Sequence, residues 1–163
     1  MKIGLIFISF ILISKAGKCV DVSQPFDKAN YYSIMASGNL ADVNAGLLLL
    51  QQLPASEKDA FEGALLMRKA GLLRQPKEKL SFFRSGARKL EAALAKDSSN
   101  AEYHFLRLII QEHAPAVVHY NRNMKQDSQI VYDAYKRFPS VVQKAIMDYS
   151  KHSKFLREKE LNG

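Results

Sequence analysis

Asn100, His104, Arg107 and Gln111 recur at spacings of four, three and four, which puts them on one line of any helix that contains them. The residues between them, Tyr103, Phe105, Leu106, Leu108, Ile109 and Ile110, are apolar nearly all round. An imidazole, a guanidinium and a carboxamide in a row supply donors for a peptide or a carboxylate if the line faces a groove. If it faces water, it is the single wet strip that a mostly buried helix keeps. His119-Tyr120-Asn121-Arg122-Asn123 follows as a polar and aromatic patch, either a solvated loop or a groove lip with Tyr120 as aromatic anchor and Arg122 as anion contact. The candidate partner-binding residues are therefore His104, Arg107, Gln111, Tyr120 and Arg122.

A second group carries charge. Between Arg68 and Lys89 stand Arg68, Lys69, Arg74, Lys77, Lys79, Arg84, Arg88 and Lys89 against Glu78 alone. Lys77, Arg84 and Arg88 share a helix face, where like charges repel unless something neutralises them. Acids brought in by the fold would do so, Glu91 being three residues from Arg88; so would an anionic envelope surface or polyanion. Arg68 falls inside the apolar arc of its own helix, a position that calls for a buried acid such as Glu91, Glu102 or Glu112, or for an anionic ligand. Arg68, Lys77, Arg84 and Arg88 form the alternative, anion-binding set.

Other chemistries lack their signatures. The four histidines, His104, His113, His119 and His152, show no pairing at three or four residues, and the lone Cys19 is far from them, so no metal and no cofactor is expected. There is no G-x-S-x-G elbow and no phosphate-cradling glycine loop among the eight glycines. Glu57 and Asp59 read as helix-start charges. An enzyme is the third reading, since sites assembled from distant residues leave no local trace.

The elements that must position these groups are helical. Thr is absent and Val and Ile are sparse, which leaves little material for strands. Gly38, Pro54, Pro76, the stretch 97–100, Pro115 and Pro139 punctuate the chain at helix-length intervals. The spacing predicts helices from Pro25 to Gly38, Ala41 to Leu53, Ser56 to Leu73 and Lys77 to Lys96. Leu80, Phe83, Ala87, Leu90 and Leu94 make the apolar stripe of the fourth. A fifth opens at Ser99-Asn100-Ala101-Glu102, a short segment runs from Pro115 to Asn123, a seventh starts at Asp127 or Ser128, and the last is capped by Ser140. Ser56, Ser99 and Ser140 each head a capping-box-like start. In the final helix Val142, Ala145, Ile146, Tyr149 and Leu156 share a face.

MKIGLIFISFILISKA opens the chain with one basic residue, an apolar run too short to anchor in a bilayer, and a small-residue exit at Ser14 and Ala16. That layout predicts a signal peptide over 1–16, a flexible tail over 17–24, one helical domain over 25–157 and a frayed end over 158–163, with no transmembrane segment after cleavage. The destination is periplasm, outer surface or medium. Loss of Lys2 and Lys15 with the leader takes the net charge from +8 to +6, and the remaining chain is long enough for one core. Lys18 directly before Cys19 fits a lipobox poorly, and a single cysteine makes no internal disulfide.

Gly86, Leu90 and Ala93, followed by Ser98 and Asn100, resemble the second helix and exit turn of a tetratricopeptide repeat, with Ser98 where the repeat carries proline. More broadly, Gly63 to Ala70, Phe83 to Asn100, and Phe105 to Leu108 with Gln111 and Glu112 are similar to a small group of exported bacterial proteins described as tetratricopeptide-like. The likeness covers about Ala36 to Ile130. It implies antiparallel helix hairpins, stacked as a short array or a bundle, and an exported location; no activity comes with it. The expectation is an all-α, exported, non-catalytic domain that binds a protein or peptide, with a basic adaptor for an anionic envelope surface or polyanion as the alternative. No nucleic-acid partner is expected.

Overall fold

A computed structural model of the protein describes residues 26–161. The expected leader and tail, Cys19 among them, lie outside the described residues, as do the last two positions of the chain. The described residues are all-α, with no strand among them. Eight α-helices pack against one another as a bundle: α1 Lys28–Ala36, α2 Leu40–Leu50, α3 Ala55–Leu72, α4 Pro76–Lys96, α5 Ala101–His113, α6 Met124–Ala134, α7 Ser140–Ser150 and α8 Glu158–Leu161. Short 3-10 turns at Ala116–Val118 and Tyr135–Arg137 follow α5 and α6.

Helix starts are set by Asx residues more than by serines. Asp27, Asn39 and Asn100 each accept from a backbone N–H of the first turn, which is why α1 begins at Lys28 and not at Pro25. Neither Ser99 nor Ser140 heads a capping box: Asn100 holds the cap of α5, and α7 begins behind Pro139 without a side-chain cap. α3 likewise begins behind Pro54; the side chain of Ser56 is outside the described residues. Pro76 occupies the first turn of α4, where its missing N–H costs nothing.

α3 and α4 form the longest hairpin, and its antiparallel course is written in its contacts. Asp59 meets Lys89, Gly63 meets Gly86 and Leu90, and Lys69 sits over the ring of Phe82. The two backbones touch: a Cβ built on Gly86 would lie 2.4 Å from the Gly63 carbonyl oxygen, and one on Gly63 would lie 2.7 Å from that of Gly86. Only glycine permits this approach. Leu90 and Leu94 are buried as the stripe on α4 demands, whereas Leu80, at its N-terminal end, is exposed.

α5 runs through the centre, with Phe105, Leu106 and Leu108 wholly buried. Phe105 packs against Tyr32 of α1 and Tyr149 of α7, joining those two helices across it. Glu102 turns away from its expected capping role toward α1, where Lys28 and Tyr32 donate to it. Glu112 accepts from Tyr149, Ser153 and the Lys154 N–H, fixing the segment after α7. That segment corrects one expectation: α7 stops at Ser150, so the buried Leu156 lies beyond the helix that was to carry it. Glu158–Leu161 form a helical turn whose Leu161 is only 3% exposed.

Candidate functional site

The polar line on α5 is buried. His104 is 5%, Arg107 7% and Gln111 4% exposed, so the strip faces neighbouring helices and not water. The reason is Asp127 in the first turn of α6, itself 0% exposed. A carboxylate can be removed from water only against matching donors, and α5 supplies them in a row. Arg107 donates from Nε to Oδ2 at 2.8 Å and from Nη2 to Oδ1 at 2.7 Å, a two-pronged pair, and His104 Nδ1 reaches Oδ1 at 2.7 Å.

The second ring nitrogen of His104, Nε2, lies 2.9 Å from the Ser98 carbonyl. Both nitrogens thus face acceptors, and both must carry a proton to satisfy them. Arg107 Nη2 also stands 3.4 Å from Nδ1, but its shorter bond goes to the same carboxylate oxygen. The remaining prong of Arg107, Nη1, donates to Glu91 of α4 at 3.0 Å, and Tyr120 donates its hydroxyl to Glu91 as well. Two cations and two carboxylates interlock, a neutral set when His104 is protonated.

The titration directions agree with this geometry. Burial opposes the charge on Asp127, but the hydrogen bonds from Arg107 and His104 outweigh it and hold the carboxyl below its ordinary value. Burial likewise opposes protonation of His104; Asp127 and the Ser98 carbonyl overcome it and raise the imidazole. Burial, then the bond to Glu91, pushes the Tyr120 phenol well up.

Above this set lies a cavity of about 160 Å³. Its wall is Glu91 and Arg107, its floor Gln111, and its rim the loop 119–123. His119 turns that loop with φ of 50°, a left-handed conformation uncommon outside glycine, asparagine and aspartate. The turn returns Tyr120 to α4, where its ring meets Phe83 edge-on at 5.6 Å. Gln111 is the unusual member. Its Oε1 is buried with no hydrogen-bond partner, in a structure whose other polar groups on this helix face are paired.

The structure therefore places Arg107, Gln111, Tyr120 and Arg122 around one cavity, with His104 behind the wall on Asp127. Tyr120 is committed inward to Phe83 and Glu91 and builds the wall; it is not a projecting anchor. Arg122 is exposed on the rim. The anion-binding set divides. Lys77, Arg84 and Arg88 line the exposed side of α4, but Arg68 pairs with none of the acids expected for it. Its Nε and Nη2 donate to the carbonyls of Met35 and Ser37, satisfying the orphan acceptors at the end of α1. Glu91, Glu102 and Glu112 are engaged elsewhere, as described above.

Asp127 and Glu91 were the residues sequence reasoning missed as members of this site. The spacing marks Asp127 only as one of two possible starts of a helix, and nothing local marks it as the partner of residues twenty positions away. Among the described residues no three of His, Cys, Asp and Glu are grouped to hold a metal ion, and no helix is long and apolar enough to cross a membrane. The chain matches no family model, no curated protein and no solved structure.

Proposed function

We propose that this protein is an exported, non-catalytic helical domain that binds a protein or peptide partner through the cavity between α4, α5 and the 119–123 loop. The observation that carries the reading is the Gln111 carboxamide. Leaving a buried polar group unpaired costs about 1–3 kcal/mol, which a ligand recovers once the side chain rotates to turn Oε1, sealed from solvent as it stands, into the cavity. A peptide group offers one N–H and one C=O, the complement of Oε1 and Nε2 on Gln111.

Size favours a macromolecular partner over a metabolite. A cavity of about 160 Å³ is smaller than the several hundred Å³ usual for a small-molecule site, and suits one anchoring residue of a larger chain. The protons near the cavity are also committed: His104 uses both ring nitrogens, Asp127 both oxygens, and Tyr120 its hydroxyl. General acid or base work needs such a group within reach of substrate and free to exchange. Export is the contribution of residues 1–16, and the tetratricopeptide-like spacing around Gly86 belongs to the same proposal.

Selection from a random peptide library on the immobilised mature domain tests the binding claim. A convergent motif is expected, with affinity falling by about tenfold in Gln111→Leu while the unfolding midpoint stays level or rises, since burying an unpaired amide is itself unfavourable. Failure to enrich any motif, or equal binding by Gln111→Leu, removes the proposal. Mass spectrometry of the chain recovered from an expressing cell's envelope fraction tests the export claim; a product retaining Met1 to Ala16 defeats it.

A further inference from the structure

We propose that the occupant of the cavity is an extended acidic peptide that leaves it along the exposed face of α4, placing its carboxylates on Arg88, Arg84 and Lys77. This rests on the peptide-binding reading above and names the chemistry of its partner. At 100° per residue, these three positions fall within about 40° of one another around the helix. All three are exposed, and none has an ion-pair partner among the described residues.

The neighbouring acids are already spent. Asp59 and Glu62 take Lys89, Asp59 also lies within reach of Lys96, and Glu91 accepts from Arg107 and Tyr120. Glu78, about 100° around the helix from Lys77, looks elsewhere. Arg84 and Arg88 therefore face each other one turn apart with their repulsion unrelieved.

The basic track and the cavity are continuous. Glu91, part of the cavity wall, lies three residues beyond Arg88, and Phe83, the residue before Arg84, carries the ring of Tyr120 from the rim. Arg122 adds a cation at the mouth. With a rise of about 1.5 Å per residue, Arg88 and Arg84 stand about 6 Å apart, and Arg84 and Lys77 about 10 Å. An extended chain advances about 3.3 Å per residue and turns alternate side chains to one face, so carboxylates two residues apart match Arg88 and Arg84, and a third, four residues further on, is within reach of the long Lys77 side chain. The expected ligand reads acid-x-acid-x-x-x-acid, preceded or followed by the residue seated on Gln111. A lipid headgroup layer would satisfy the track but leave the buried carboxamide unpaired, which is why a peptide is the better match.

Fluorescence anisotropy with three probes decides it: a labelled peptide of that pattern, a scrambled peptide of the same composition, and vesicles of phosphatidylglycerol with phosphatidylcholine. The patterned peptide is expected to bind the mature domain, to weaken by about tenfold or more from low to high salt, and to be lost in the double variant Arg84→Glu with Arg88→Glu. Both substitutions are on exposed positions, and circular dichroism checks that the helices survive. Equal binding of patterned and scrambled peptides overturns the inference, as does charge-dependent vesicle binding without peptide binding. If the double variant still binds library-selected peptides that Gln111→Leu loses, the acidic track is wrong and the cavity reading stands. If Gln111→Leu binds as the parent does while the double variant fails, the cavity reading falls, and this inference with it.

Discussion

The α3/α4 seam and the α5/α6 seam join neighbouring helices by opposite means. The first is backbone against backbone: Gly63 and Gly86 bring no side chain to the crossing, and the helices close until a Cβ on either would strike the other's carbonyl oxygen, with Met67 and Leu90 packed beside them. The second is charge against charge: Asp127 reaches across to Arg107 and His104 with no water between. A glycine contact needs nothing from the solvent and is indifferent to pH. An ion cluster depends on every member's protonation and on leaving no charge alone. The cavity lies beside the second seam, so whatever disturbs the cluster disturbs the site, while the first seam serves as a rigid backing.

The largest effect should come from removing the hub. Asp127→Ala leaves two cationic groups buried on α5, with Glu91 and the Ser98 carbonyl as their remaining partners, and a loss of about 3–5 kcal/mol is expected in urea unfolding. A loss under 1 kcal/mol would mean that water reaches Arg107 and His104 and that the seam is not a sealed one. Gly86→Ala should cost less, about 1–3 kcal/mol, because the added methyl meets a backbone oxygen that cannot rotate away and the helices must part. If this variant is as stable as the parent, the close approach of α3 and α4 is not what holds the hairpin.

How much of this could be read from the chain follows the same division. The hairpin was legible because its causes are local: small residues at Gly86 and Ala93, a stripe through Leu90 and Leu94, and a proline at the start of α4. The central place of α5 was legible from its apolar residues. The burial of its polar line was not, because His104, Arg107 and Gln111 carry no local mark that tells an ion-paired face from a wet one. That distinction lies in Asp127, whose position opposite them is a property of the fold. Arg68 stands out in its apolar arc as a cation in want of an acid, yet backbone carbonyls at the end of α1, which carry no mark in the sequence, satisfy it.

The smallest expected effect is the most diagnostic for the comparison, because only one seam should titrate. His104 holds its second proton more tightly in the folded protein than in the unfolded chain, where its value is near 6.5. The stability this contributes is complete below about pH 6.5 and disappears as the pH rises through the raised, folded-state value. Asp127 has the opposite sign: its value is lowered, so its contribution is present above about 3.8 and is lost as the pH falls through the folded-state value. Each unit by which the imidazole is raised corresponds to about 1.4 kcal/mol. Urea midpoints measured between about pH 5 and 9 should therefore fall on the alkaline side for the parent protein and much less for His104→Gln, which has no proton to lose. The difference between the two curves isolates His104 from the exposed His113, His119 and His152. Gly86→Ala should run below the parent at every pH with the same slope. A parent curve that tracks His104→Gln would mean that one ring nitrogen of His104 goes without its proton, and the cluster would then hold by Arg107 alone.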